Sequence, residues 1–400
     1  MTRRNFKWAV RIVLFILLIS AFPAAQDSWK SSEEAAARAS RAARFGEAEK
    51  LLSANLKSAD TFPPKDARRP RTLFDLAEVY RAEGKYSDAM PLYERALDVY
   101  NKIYGAEATE VADALNGEAE LYKSLNDYAH AEPLLVRALA IRQKLLRPGN
   151  PDIAQTQNDL GEVYSATAAF DKAEPLLTDS LASRRKNPGP ESAEVAQSLE
   201  AFGTFYSKRG KTQQAEDSFR HAVSIFGKTV GGDHPDYANA LENLALCYGA
   251  RRDFADADPL FQRVLEIRQT VFGPEHRDVA ASLDNLAALK KSERKPGEAA
   301  SLYERAISIW EKVLGTDSPD LAADLNNLGL LYFFMKRYDE SQKVYQRALG
   351  IRMRALGNHD PAVAETMNSY ANVLAALHRD AEARQMEAQA QTILDKQNGK

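Results

Sequence analysis

An all-α solenoid of stacked antiparallel helix pairs is the fold this sequence predicts, and three observations predict it. A ten-residue motif returns every 42 residues: RTLFDLAEVY (71–80), DALNGEAELY (113–122), QTQNDLGEVY (155–164), QSLEAFGTFY (197–206), NALENLALCY (239–248), ASLDNLAALK (281–290) and ADLNNLGLLY (323–332), with ETMNSYANVL (365–374) one step further. A second motif recurs in register with it, in SDAMPLYERALDVY (87–100), AHAEPLLVRALAIR (129–142), ADADPLFQRVLEIR (255–268), GEAASLYERAISIW (297–310) and DESQKVYQRALGIR (339–352). Glycine and proline punctuate the intervals at matching places, as in GGDHPDYA (231–238), GPEHRDVA (273–280), GTDSPDLA (315–322) and GNHDPAVA (357–364). One period sustained over most of a chain marks a repeat architecture in which each unit packs only on its neighbours.

Each element follows from its residues. Both motifs place apolar residues at three- and four-residue spacing with few β-branched runs, which makes them amphipathic helices. The polar links RAEGKYSD (81–88) and FMKRYDES (334–341) suit a helix hairpin, with Gly84 placed to cap the first helix. Pro91, Pro133, Pro175 and Pro259 are expected in the first turn of the second helix, where a missing N–H costs little. Between repeats, Gly ends the second helix, and Ser318-Pro319 or Asp360-Pro361 restarts the chain as an N-cap followed by proline.

The pattern LNNLA–LY, then G-Y–A–PLYERAL-I, then LG-DHPD-A resembles the long tetratricopeptide repeat of the kinesin light chain type, which also occurs in many bacterial proteins. The resemblance implies a right-handed superhelix. Seven repeats are expected over 71–364, and a capping pair over 365–396, where Glu387 and Gln391 replace the usual apolar residues, followed by a tail at 397–400. A degenerate pair with FGEAEKLL (45–52) and a Pro/Arg-containing linker occupy 26–70.

The N-terminus departs from the repeats. A basic start, an apolar stretch from Ile12 to Phe22 and the small residues Ala24 and Ala25 read as a signal peptide over 1–25. Pro23 is a poor cleavage context, so an uncleaved anchor over 8–25 is the alternative, and the chain is expected to be exported, periplasmic or secreted. Loss of 1–25, with four basic and no acidic residues, would take the formal charge from −3 to −7. That balance lacks the basic footprint of a nucleic-acid binder.

No glycine-rich phosphate loop, nucleophile elbow or metal-ligand spacing is present, so no catalytic residue, metal or cofactor is expected. His234 and His276 share a position held elsewhere by Ala108, Asn150, Ser192 and Ser318, and read as helix caps. Cys247 falls at an apolar position, filled by Val79, Leu121 or Phe205 in other repeats, and reads as core.

What remains is a surface for a protein or peptide partner. On a 100° wheel of 323–334, Leu325, Leu328, Gly329, Leu331 and Tyr332 share the packing arc, while Asn326 and Asn327 face the opposite way with Leu330 and Phe333. In tetratricopeptide pairs the first helix lines the groove, and the resemblance to the kinesin light chain carries peptide-binding asparagines to Asn116, Asn158, Asn326 and Asn368 at the motif's fourth position, and Asn243, Asn285 and Asn327 at its fifth. An amide can donate to and accept from an extended backbone. The competing reading is that these amides solvate the arc or hold the adjacent repeat. At the eighth position Glu78, Glu120 and Glu162 are expected to form an acidic row, giving way to Leu246, Ala288 and Leu330. The expected function is a non-catalytic scaffold of the bacterial cell envelope with a concave groove, suited to a peptide with a basic portion and an apolar anchor. An anchored assembly subunit and an accessory subunit of an envelope enzyme are the alternatives.

Overall fold

The repeating motifs fold as the paired helices their periodicity dictates. The computed structural model describes residues 29–59, 62–63 and 65–397, so the leader expected over 1–25 lies outside the described residues. All regular structure among them is helical. Before the first full repeat lie α1 (29–41) and α2 (Phe45–Ala59). The repeats follow as α3 (Arg68–Ala82) with α4 (Tyr86–Tyr104), α5 (Thr109–Ser124) with α6 (Tyr128–Leu145), α7 (Pro151–Ala166) with α8 (Phe170–Lys186), and α9 (Ala193–Lys208) with α10 (Thr212–Thr229). Next come α11 (Pro235–Ala250) with α12 (Phe254–Phe272), α13 (Arg277–Ser292) with α14 (Pro296–Leu314), α15 (Leu321–Phe334) with α16 (Tyr338–Leu356), and α17 (Pro361–Ala376) with α18 (Asp380–Gln397).

The chain divides into two units, residues 1–225 and 226–400. In the first, α3 packs on α4, α5 on α6 and α7 on α8, and each second helix packs on the first helix of the next repeat. First helices of adjacent repeats also touch, α3 with α5, α5 with α7 and α7 with α9. The second unit repeats the scheme from α11 to α18, with α15 reaching α17.

Helix ends are mostly set by local chemistry, but the expected Ser318-Pro319 cap is not used: a turn over 319–320 delays α15 to Leu321, with Asp320 before it. Asn150, Ser192 and Asp360 accept from the backbone N–H of the first turn, and His234 and His276 do the same through Nδ1, at 3.2 Å in both cases. The two histidines are therefore caps, and Cys247 is buried. Each first helix ends in a left-handed residue, with φ of 70° at Gly84 but also 57° at Asn126, 64° at Arg252 and 59° at Lys336. The following N–H closes on the carbonyl five residues back, as from Lys85 to Tyr80 at 2.8 Å, which overrides the steric preference for glycine. The prolines correct an expectation: α4 begins at Tyr86, so Pro91 lies beyond the first turn. The helix starts earlier because Lys85, non-helical with φ −81° and ψ 59°, already acts as its N-cap and its carbonyl accepts from Ala89 N–H at 3.0 Å.

At the seventh motif position the side chain must be minimal, since the second helix crosses here. Ala77, Ala119, Ala245, Ala287 and Ala371 are fully buried, and a Cβ added to Gly329 would lie 2.8 Å from the Tyr345 ring. Ala287 shares a core cluster with Tyr303, which has the same sequence offset as Gly329 from Tyr345, so an aromatic ring can accommodate one methyl. Gly329→Ala is expected to change stability by less than about 1 kcal/mol, helix propensity offsetting overpacking. Gly329→Val is expected to cost about 2 kcal/mol or more, both read by urea unfolding.

Candidate functional site

The face built by the first helices is organised by arginines that reach it from the second helices. Arg142, Arg184 and Arg268 are buried, and Arg352 is half-buried. Arg268 Nη1 donates to Glu242 Oε1 at 2.8 Å and to Ser282 Oγ at 2.8 Å, while Nη2 donates to Glu242 Oε2 at 2.7 Å and Asn239 Oδ1 at 2.9 Å. Arg184 Nη1 binds Ser198 Oγ at 2.9 Å and the Glu194 carbonyl at 2.8 Å, and Nη2 reaches Gln155. Arg142 joins Asp113 at 2.7 Å, Asn116 at 3.2 Å, the Asp152 carbonyl at 3.0 Å and Thr156. Arg352 binds Thr366 Oγ1 at 2.8 Å and the Ala362 carbonyl at 2.7 Å. Each guanidinium thus bolts the first helix of its own repeat, through the motif's first or fourth position, to the first helix of the next, through a Ser or Thr at the second position. A planar five-donor fork is what such a three-way junction needs. The signal for these residues lies in the sequence as an arginine followed by a hydroxyl 14 residues on, in four repeats.

That junction claims several of the asparagines expected to meet a peptide. Asn116 is buried, donating to Asp159 Oδ2 at 2.8 Å and accepting from Arg142 and Thr156. Asn326 is half-buried beside Thr366, and with its amide oxygen turned to the guanidinium it accepts from Arg352 at 2.9 and 3.1 Å. Asn158 is 2% exposed and donates to Glu162 at 2.6 Å. At the fifth position, Asn285 donates to Glu242 at 2.9 Å and Asn327 accepts from Lys291 at 2.9 Å, both half-buried. Asn243 is half-buried and Asn368 exposed. Packing distance explains the difference from the expectation: first helices of successive repeats are close enough for an amide to span them, so the competing role, holding the adjacent repeat, takes Asn116, Asn285 and Asn326.

The acidic row is also corrected. Glu78, Glu120 and Glu162 are not open anions, because Arg81 and Lys123 lie one turn along. Arg81 pairs with Glu78 at 2.8 Å, and Tyr93 donates to the same carboxylate at 2.5 Å. Lys123 Nζ lies 2.6 Å from Glu120, 2.7 Å from Glu162 and 3.6 Å from Asp159. Three carboxylates around one ammonium leave a surplus: burial and the facing Asp159 push Glu120 up to about 7, whereas Asp159 itself, against its own burial, is held down by Lys123 and by the Asn116 and Gln155 amides.

In the second unit the eighth position is apolar in α11, α13 and α15, and polar again at Asn372 of α17. Leu246 is 47% exposed and Leu330 half-buried. Phe333, expected as the anchor, packs half-buried against Tyr338 with ring centroids 5.6 Å apart. The more exposed ring is Phe334, 66% exposed though edge-on to Phe333 with centroids 6.1 Å apart, and one turn beyond Leu330 on the same helix face. The helix ends at Phe334, which throws Phe333 onto the hairpin side and Phe334 outward.

Among the described residues no group of three or more His, Cys, Asp or Glu could hold a metal ion, and no helix is long and apolar enough to cross a membrane.

A family model described as tetratricopeptide repeat matches residues 68–144, 110–186, 152–228, 194–270, 236–312, 278–352 and 320–396. Successive matches begin 42 residues apart, the period of the motifs. No curated protein matches the sequence. Among solved structures, BtubC (BKLC) from P. vanneervenii is similar at 24% identity over 58% of this chain and 93% of that one, with a TM-score of 0.50. A signal transduction ATPase with numerous domains carrying a tetratricopeptide repeat sensor, from Pyrococcus horikoshii, is similar at 13% identity over 88% of this chain and 52% of that one, with a TM-score of 0.61. Aspartyl phosphate phosphatase F from Bacillus subtilis is similar at 12% identity over 92% and 93%, with a TM-score of 0.50. At these identities the likeness is one of fold.

Proposed function

The chain belongs to the tetratricopeptide repeat family, and from that premise we propose that it is a non-catalytic scaffold that binds a protein or peptide partner through the first-helix face of its second unit. The observation that carries this reading is Phe334, an aromatic ring two-thirds exposed, one turn from Leu330, on a face that also presents Leu246. Exposed large apolar groups grouped on one face are a common mark of a binding patch. Amides that bridge neighbouring first helices hold the repeats in register, and the exposed Asn368 is the one placed to meet a partner backbone. In this reading the partner supplies an apolar side chain to Phe334. A basic portion belongs to the proposal only as a secondary feature, because Arg81 and Lys123 already counter much of the carboxylate charge in the first unit.

The basic and apolar N-terminal sequence supports export to the cell envelope as part of the same proposal. It equally favours a second reading, an anchored subunit in which the repeats act as a spacer.

Affinity capture from envelope extract tests the reading, with the wild type run beside Phe334→Ala/Leu246→Ala. Phe334 is 66% and Leu246 47% exposed, so the double variant is expected to keep the fold, which urea unfolding beside the wild type checks. Loss of an aromatic anchor is expected to weaken capture by about thirtyfold, equivalent to about 2 kcal/mol. Equal capture of the same partner by both proteins would move the interface off this face, and no capture by either would favour the spacer.

A further inference from the structure

One joint in the second unit lacks the arginine that holds the others. At the position of Arg268 and Arg352 the sixth repeat has Trp310, whose Nε1 donates to Asp284 Oδ2 at 2.8 Å. Asp284 stands at the fourth motif position, the place of Glu242 and Asn326. The hydroxyl that elsewhere receives the guanidinium is replaced as well, by Asp324 in place of Ser282 or Thr366. The junction therefore keeps its acceptors on both first helices but has no guanidinium between them. Asp284 Oδ1 is buried with no hydrogen-bond partner, and among the described residues neither Asp284 nor Asp324 forms an ion pair.

The groups facing this pair come from three helices. On α14 they are Tyr303 and Trp310, on α15 Asp324, and at its N-cap Asp320. On α13 itself Arg277 lies over the Trp310 ring, 6.0 Å from its centroid. Neighbouring cations are otherwise engaged: Arg268 of α12 with Glu242, Asn239 and Ser282, Arg347 of α16 with Glu311, and Arg352 with Thr366 and the Ala362 carbonyl. Burial and the facing Asp324 push Asp284 up to about 7, and burial, with Asp320 adding to it, pushes Asp324 up to about 6. The first unit offers a contrast. There Glu33 and Asp75 also meet beneath an aromatic residue in the arginine position, Tyr100, but Arg71 pairs with Asp75 at 3.3 Å.

We propose that the junction of the sixth and seventh repeats is a proton-operated joint, closed when the Asp284–Asp324 pair carries a proton and loosened when both carboxylates are charged. The proton does at this junction what the guanidinium does at the others, cancelling charge between the two first helices and supplying a donor to an acceptor that lacks one. A buried carboxyl held above its ordinary value binds its proton more tightly in the folded chain than in the unfolded one. Its stabilising effect is therefore full at low pH and is lost as pH rises from about 4 through about 7. Because Asp324 lies on α15, which also carries Leu330 and Phe334, the joint governs how firmly that face is held.

Urea unfolding of the full-length protein at pH 5 and pH 8, followed by tryptophan emission, tests the joint with no ligand present. This keeps it separate from the docking proposal. The unfolding constant of the wild-type segment around Trp310 is expected to be at least tenfold larger at pH 8 than at pH 5. Asp284→Asn keeps an acceptor for Trp310 and removes one charge, so most of that pH ratio should vanish, with the variant more stable than the wild type at pH 8. Trp310→Arg, which supplies the missing guanidinium and is followed by circular dichroism, should also flatten the dependence. A wild-type ratio near one, or an unchanged ratio in both variants, would overturn the proposal.

Discussion

Replacing Arg268 with alanine is expected to destabilise the second unit by about 3 kcal/mol, the usual cost of stranding one partner of a buried ion pair. The guanidinium makes four hydrogen bonds, two of them to the Glu242 carboxylate, in a site where its own side chain is 8% exposed and that of Glu242 18%. Without it Glu242 keeps only the amide of Asn285, and Ser282 and Asn239 lose their donor. Arg268→Lys should recover only part of the loss, because one ammonium cannot grip both carboxylate oxygens and still reach Ser282 across the junction. Urea unfolding of the two variants against the wild type measures both. Since each repeat leans only on its neighbours, the damage should appear first as lowered amide-exchange protection in α11 to α13. A loss below about 1 kcal/mol would mean that water replaces the arginine at little cost, and the junction would then be positional rather than stabilising.

The first unit has its own single point of failure at Lys123. Its side chain is 12% exposed, and its ammonium pairs with Glu120, Glu162 and Asp159 together. Lys123→Ala is expected to cost about 3 kcal/mol at pH 7, and the sign of its pH dependence is distinctive. In the wild type, Asp159 lies below its ordinary value, so its contribution is present near neutrality and is lost only in acid, whereas Glu120, pushed up to about 7, weighs against the fold as pH rises from about 4 toward 7. Removing the lysine takes away a charge that holds both Glu120 and Asp159 down, so both rise. The variant should therefore regain stability as pH falls from 7 to 5, and the gap from the wild type should narrow over that interval. Thermal melts of both proteins at pH 5, 6 and 7 would show it. A gap that stays constant, or widens in acid, would mean that the carboxylates already share protons or reach water on their own.

How far the sequence could be read follows from which interactions are periodic. The helix pairs were legible because apolar spacing and capping chemistry are local and recur every 42 residues. His234 and His276 were legible as caps for the same reason, since a cap depends only on the residues beside it. The destination of a polar side chain on the first-helix face was not. Asn116 and Asn158 occupy the same motif position, yet one is locked between Arg142 and Asp159 while the other turns to Glu162 in its own helix. Glu78 and Glu120 looked like an acidic row on a helical wheel, but Arg81 and Lys123 follow one turn later and fold back onto them. Phe333 and Phe334 are adjacent in sequence, and only the hairpin geometry decides that the first is half-buried against Tyr338 and the second two-thirds exposed.

The sequence by itself determined the family, the repeat length, the helix pairs and several of their caps, those at Asn150, Ser192, His234, His276 and Asp360 among them, because each rests on contacts within a few residues or on a period that any neighbour satisfies. Tertiary structure alone decided which polar groups hold the repeats together and which remain for a partner. Those bonds join residues 26 to 43 positions apart, across helices whose separation no local pattern encodes.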